Sequence, residues 1–94
     1  SDESTITCGG EFFEVSCPVG SQLHLPILRW GRTADGSVCP HDDILSVECL
    51  STEAPSIIRA VCEGEPKCNF EVSRHTLQDP CYNTYKYLNA THTC

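Results

Sequence analysis

Eight of the 94 residues are cysteine, at positions 8, 17, 39, 49, 62, 68, 81 and 94. A thiol can attack an electrophile, ligate a metal or close a disulfide, and spacing and compartment decide which. The chain has no Cys-x-x-Cys, and His24, His41, His75 and His92 form no pair at ligand spacing, which argues against zinc. Asp42-Asp43 is too short for a calcium loop. So high a cysteine content in a short chain marks disulfide-held scaffolds of oxidising compartments, secreted or on the extracellular face of the plasma membrane. With the thiols committed to bridges, no Ser-His-acid order and no carboxylate pair in a recognisable cleft, the chain reads as non-enzymatic, and it calls for no cofactor and no metal.

The other polar chemistry is that of binding. The chain carries 13 acidic and 6 basic residues, a net charge of −7, and nowhere clusters its Lys and Arg. That argues against nucleic acid and anionic membrane surfaces as partners, since both are held through grouped cations. No run approaches the ~18 apolar residues that cross a bilayer, so this segment is not expected to insert in a membrane. No charged-then-apolar leader opens the chain, which reads as a mature protein or an excised ectodomain.

The elements that must position these groups are short. Ser4–Cys8 is a run of β-formers, and Phe13, Val15 and Cys17 alternate with polar residues as a half-buried strand does. After a turn at Pro18, Gly20 and Ser21, the residues Leu23, Leu25 and Ile27 alternate again towards Trp30-Gly31-Arg32, with Pro26 expected at an edge or a bulge. Residues 33–43 read as a long loop pinned by Cys39. A helix is expected from about Pro55, with Ile57, Ile58, Val61 and Cys62 on one face and Gly64-Glu65-Pro66 ending it. Residues 68–72 and 85–94 are strand-like, the last with Leu88, Ala90, His92 and Cys94 on one face and Asn89 on the other. The cysteines span the chain and nothing repeats, so residues 1–94 read as one α+β domain or small β-sandwich.

Three segments resemble a known family. Trp30-Gly31-Arg32-Thr33, Cys62-Glu63-Gly64-Glu65-Pro66-Lys67-Cys68 and Asp79-Pro80-Cys81-Tyr82-Asn83-Thr84-Tyr85-Lys86-Tyr87-Leu88 are similar to the motifs of the galactose/rhamnose-binding lectin domain of the sea-urchin-egg-lectin type, and all eight cysteines fall in its register. Eight cysteines allow 105 pairings. The resemblance implies Cys8–Cys39, Cys17–Cys94, Cys49–Cys81 and Cys62–Cys68, on a small antiparallel β-sandwich with one long and one short helix. Of these, Cys62 and Cys68 at the two ends of a Gly/Pro turn are also the easiest pair to close.

The resemblance further implies metal-independent binding of L-rhamnose or D-galactose, and transfers a site residue by residue. A pyranose offers hydroxyls to carboxylate, amide and ammonium groups and a less polar face to an aromatic ring. Asp79 and Lys86 stand unchanged in the family pattern. Trp30 replaces a Tyr and keeps a stacking surface; Arg74 replaces an Asn; Asn83 replaces a Gly; and Gly9 replaces an acidic residue, leaving Glu11 to reach in from two positions on. Arg32 reads as holding its loop by hydrogen bonds rather than touching ligand. Asn89-Ala90-Thr91 is an N-glycosylation sequon. The altered positions keep a second reading open: an extracellular protein-interaction or adhesion module, as in latrophilin-type receptors, in which the sugar site has degenerated.

Overall fold

Period-2 alternation resolves into two antiparallel sheets in the computed structural model, which describes residues 2–82 and 84–94. The elements run β1 (Glu3–Cys8), β2 (Phe12–Ser16), β3 (His24–Arg32), β4 (Cys49–Leu50), α1 (Ala54–Cys62), β5 (Lys67–Glu71), α2 (Arg74–Leu77) and β6 (Tyr87–Thr93). One sheet has the order β1-β6-β3-β4, and the other pairs β2 with β5. Phe13, Leu25, Leu28, Trp30, Ile58 and Leu88 meet between the sheets and α1, so the α+β sandwich expected from the sequence is the one observed. No helix among the described residues is long and apolar enough to cross a membrane.

Pro26 marks the one register shift in the large sheet. The ladder between β3 and β6 slips between His24 and Ile27, so burial passes from Leu23 and Leu25 to Leu28 and Trp30. Ile27, expected to share a face with Leu23 and Leu25, is therefore 44 % exposed. A bulge leaves backbone groups unpaired. Here α1 supplies the partners: Arg59 donates to Leu25 O at 2.9 Å and to Pro26 O at 3.3 Å, and the Leu25 N–H donates to Glu63 Oε1 at 3.1 Å. His24 Nδ1 lies 3.0 Å from Glu63 Oε2 and completes the clamp.

Helix α1 starts one residue before the expected Pro55, and Ser51 Oγ accepts from the Glu53 and Ala54 N–H groups that open it. Its buried stripe is Ala54, Ile58 and Cys62, four residues apart. Val61, expected in that stripe, is exposed, because the last turn meets an open groove beside β2 and β5 instead of a packed sheet.

The four disulfides are Cys8–Cys39, Cys17–Cys94, Cys49–Cys81 and Cys62–Cys68, the pairing the resemblance implied. Each typically contributes about 2–4 kcal/mol, which matters in a domain with so small a core. Cys8–Cys39 and Cys49–Cys81 hold the long loops against the ends of the strands, where the candidate site lies.

Candidate functional site

The C-terminal end of β3 and the N-terminal end of β6 meet the Gly9-Gly10 turn and α2 around two adjoining depressions. One, of about 310 Å³, is lined by Gly9, Gly10, Trp30, residues 73–75 and residues 84–86. The other, of about 230 Å³, is lined by His41, Asp43, Asp79, Arg74 and the same residues 84–86. They share Arg74, Thr84, Tyr85 and Lys86, and their size is at the low end for ligand sites, fit for one small ring.

Lys86 is 8 % exposed, and its ammonium is fully spoken for: Nζ lies 2.8 Å from Asp79 Oδ1 and donates to Cys81 O at 2.9 Å and Thr84 O at 2.7 Å. An ammonium has three protons, and these are its three partners. Asp79 Oδ1 also accepts from the Cys81 N–H at 3.3 Å. Its Oδ2 makes no hydrogen bond among the described residues, and the side chain stays 23 % exposed. The Lys86 hydrogen bond is the main reason the Asp79 carboxyl is held below its ordinary value; burial opposes the shift, and the Lys86 charge, the Cys81 N–H and the Arg74 charge reinforce it. Asp79 is thus an ionised, oriented acceptor whose Oδ2 is unused among the described residues.

Trp30 sits elsewhere than a stacking role requires. It is 1 % exposed, its ring belongs to the core, and its indole N–H donates to Gln78 O at 2.9 Å. It touches the depression only at an edge. The exposed aromatic surface comes from Tyr85, which stacks against His41 with ring centroids 4.2 Å apart. The Tyr85 hydroxyl donates to Gly9 O at 2.7 Å; burial, helped by the Glu11 charge, raises its pKa and keeps that proton in place.

Gly9 explains its own substitution. A Cβ there would lie 2.9 Å from Lys86 O and 3.3 Å from the Tyr85 ring, so this backbone leaves no room for the acidic side chain of the family pattern. Glu11 does not line either depression; Oε1 turns back to accept from the Cys8 N–H at 3.1 Å. Arg74 opens α2 and lies on the shared wall, while Ser73 and Thr76 form a capping box that fixes that turn. Asn83 lies outside the described residues. Asn89 is remote from the site in function: strand alternation turns it away from Lys86 and Leu88, to the outer face of the sheet.

The sequence thus brings Asp79, Lys86, Arg74 and an edge of Trp30 together, but Tyr85 and His41 were not assigned to the site. Tyr85 was within reach, being the neighbour of Lys86 in the same motif. His41 was not, because it arrives through a loop contact, the Tyr85 N–H donating to Asp43 O at 2.7 Å.

The family model of the D-galactoside/L-rhamnose binding SUEL lectin domain matches residues 15–94. The chain belongs to this family. It is 36 % identical over 89 residues to the L-rhamnose-binding lectin ELEL-1 of Echinometra lucunter, covering 93 % of this chain and 85 % of that protein. It is also 36 % identical over 101 residues to Latrophilin-like protein 1 of Caenorhabditis elegans, and 29 % identical over 91 residues to Adhesion G protein-coupled receptor L1 of Homo sapiens. This SUEL lectin domain spans 10 % and 6 % of those two proteins, so in them the domain is a small part of a longer chain. Four disulfides suit it to the secreted or extracellular side.

Proposed function

We propose that this SUEL lectin domain binds a single L-rhamnose- or D-galactose-type pyranose reversibly, without metal and without catalysis, at the paired depressions beside Asp79. The observation that carries the reading is the Asp79 carboxylate, fixed by Lys86 through Oδ1 and without a hydrogen bond at Oδ2 among the described residues. A carboxylate oxygen held rigidly on a depression rim accepts hydroxyl protons without first losing side-chain entropy. Arg74 adds donors on the shared wall, and the Tyr85–His41 stack offers the aromatic surface against which the C–H face of a pyranose packs. Lys86 acts in this reading by orienting Asp79, since its own protons are used within the protein. Kinship with a lectin named for L-rhamnose supports the choice of sugar.

A second reading, an extracellular protein-interaction or adhesion module, is favoured by the blocked position at Gly9 and the buried Trp30, and by the receptor relatives. A titration separates the two. Backbone amide NMR signals of Gly9, Gly10, Ser73 and Lys86 should shift on adding L-rhamnose or D-galactose up to tens of millimolar, unchanged by a metal chelator. Silence throughout that range from a folded domain sinks the sugar reading and leaves the interaction module.

A further inference from the structure

On the outer face of the four-stranded sheet Ser4, Ile6, Ile27 and Arg29 are exposed while Tyr87 and Thr91 are buried, and the register of the face is specific. Ile6, Asn89 and Arg29 form one cross-strand row; Ser4, Thr91 and Ile27 form the next; Cys8, Tyr87, Gly31 and Leu50 form the row on the other side. Asn89 therefore stands on the inner strand β6 at the middle of the face. On this face Ile6 is 49 %, Ile27 44 % and Leu50 51 % exposed, and the exposed Arg29 stands directly opposite Asn89. In neighbouring strands directly opposed side chains lie about 5 Å apart and diagonal ones within about 8 Å, which puts Ile6 directly beside Asn89 and Ile27 diagonally next to it, while Leu50 lies one strand further on. Asn89 itself is half-buried, and no hydrogen bond among the described residues uses its carboxamide, whose atoms are not among the buried, unpartnered ones. The sequon Asn89-Ala90-Thr91 thus stands on the outer face of the sheet beside the exposed Ile6 and Ile27.

We infer that Asn89 carries an N-linked oligosaccharide whose first sugars lie over Ile6 and Ile27 and cover this part of the face. The donor is a lipid-diphosphate-linked oligosaccharide of the secretory route. The Asn89 amide nitrogen forms a bond to the anomeric carbon of its first N-acetylglucosamine, the bond from that carbon to the diphosphate oxygen breaks, the lipid diphosphate departs with the electron pair, and the nitrogen loses one proton. An N-acetylglucosamine presents a methyl group and C–H faces to apolar side chains and hydroxyls to water, the two surfaces this place needs. Attachment leaves the Asp79 depressions open, since alternation along β6 turns Asn89 away from the side that carries Lys86. The inference is independent of which ligand those depressions take.

The test is secretion of the chain from eukaryotic cells behind a cleavable leader. Peptide mass spectrometry after amidase treatment should find Asn89 converted to Asp, with Thr91→Ser still modified and Asn89→Gln not. A folded, secreted protein with unmodified Asn89 overturns the site. The covering role is read by sedimentation: the glycosylated form should stay monomeric, and enzymatic stripping of the folded glycoprotein should produce concentration-dependent association that Ile6→Lys reverses. Stripped protein that remains monomeric at every concentration, or association unaffected by Ile6→Lys, overturns the cover. Stripping acts after folding, so the result stands even where Asn89→Gln is not secreted.

Discussion

Two cations lie buried at the same end of this domain, Arg32 and Lys86, and they are put to opposite use. The Arg32 guanidinium is closed on all sides. Nε donates to Tyr85 O, Nη1 to Ala34 O, Asp35 O and Val38 O, and Nη2 to Cys39 O, at 2.6–3.1 Å, while the group lies 5.0 Å from the Tyr87 ring centroid. It gathers the carbonyls of a loop that has almost no core of its own. Lys86 also donates to carbonyls, but its third partner is a carboxylate whose Oδ2 makes no hydrogen bond among the described residues. A planar fork with five donors suits locking a loop, and a point charge with three suits aiming one acceptor. Both are held within the protein, yet only the second orients a carboxylate that keeps an oxygen without a hydrogen bond among the described residues.

The contrast is broken most forcefully at Arg32. Arg32→Met takes a charged donor from five carbonyls, of which, among the described residues, only Asp35 O keeps another partner, the Val38 N–H, and we expect a loss of about 3 kcal/mol or more in chemical unfolding, where a hydrogen bond to a charged group contributes ~1.5–3 kcal/mol. A loss under about 1 kcal/mol would show that the Cys8–Cys39 bridge alone holds the loop. Lys86→Met should cost about 2–3 kcal/mol, for the Thr84 carbonyl left without a donor among the described residues, a weakened Cys81 carbonyl that keeps only the Thr84 N–H, and a part-buried carboxylate that loses its cation, and should also abolish the sugar response measured on the fraction that remains folded. Arg32→Met, in contrast, should lower that response only in step with unfolding.

Asp79→Asn sharpens the contrast at smaller cost. The amide oxygen can still accept from Lys86 and the Cys81 N–H, so stability should fall by under about 1 kcal/mol. Oδ2 is replaced by a donor, and sugar affinity should drop about tenfold or more, the worth of one charge-assisted hydrogen bond. Unchanged affinity in a calorimetric titration would remove Asp79 from the binding surface and leave it a partner of Lys86 alone.

How far these roles could be read beforehand differs between the two cations. Arg32 was legible as a loop holder from its type and from the turn-rich segment behind it, most strands followed from alternation, and the sandwich and the disulfide pairing followed from the resemblance to the lectin family. Pro26 was legible as a bulge, but its consequence was not: a one-residue slip moves Ile27 to the outer face, and only the ladder with β6 says on which side of Pro26 the slip falls. The site was legible as a set of residue types and not as geometry. Nothing local to Trp30 says that its ring turns inward to Gln78 O, or that Tyr85 fills the space over Gly9. Those depend on contacts between segments 48 and 76 residues apart.

Acidification gives the finest test, because two carboxylates are held below their ordinary values for different ends. Glu63 is lowered chiefly by the hydrogen bond from His24, then by the Leu25 N–H, in the clamp at the bulge; Asp79 is lowered chiefly by Lys86. A carboxyl whose folded pKa lies below its unfolded one contributes stability that is complete above the unfolded value and is lost as pH falls through the folded one. Both groups should therefore weaken the fold only below about the ordinary values of 4.5 for Glu63 and 3.8 for Asp79. Glu63→Gln and Asp79→Asn should each flatten the acid limb of an unfolding curve followed against pH. Sugar binding separates them: in wild type and in Glu63→Gln it should persist below pH 3.8, since the Asp79 carboxylate survives where a free one would be half protonated. Binding that fades at or above that value would mean that Lys86 neither holds nor aims the carboxylate in solution, and the difference between the two buried cations would then reduce to one of stability alone.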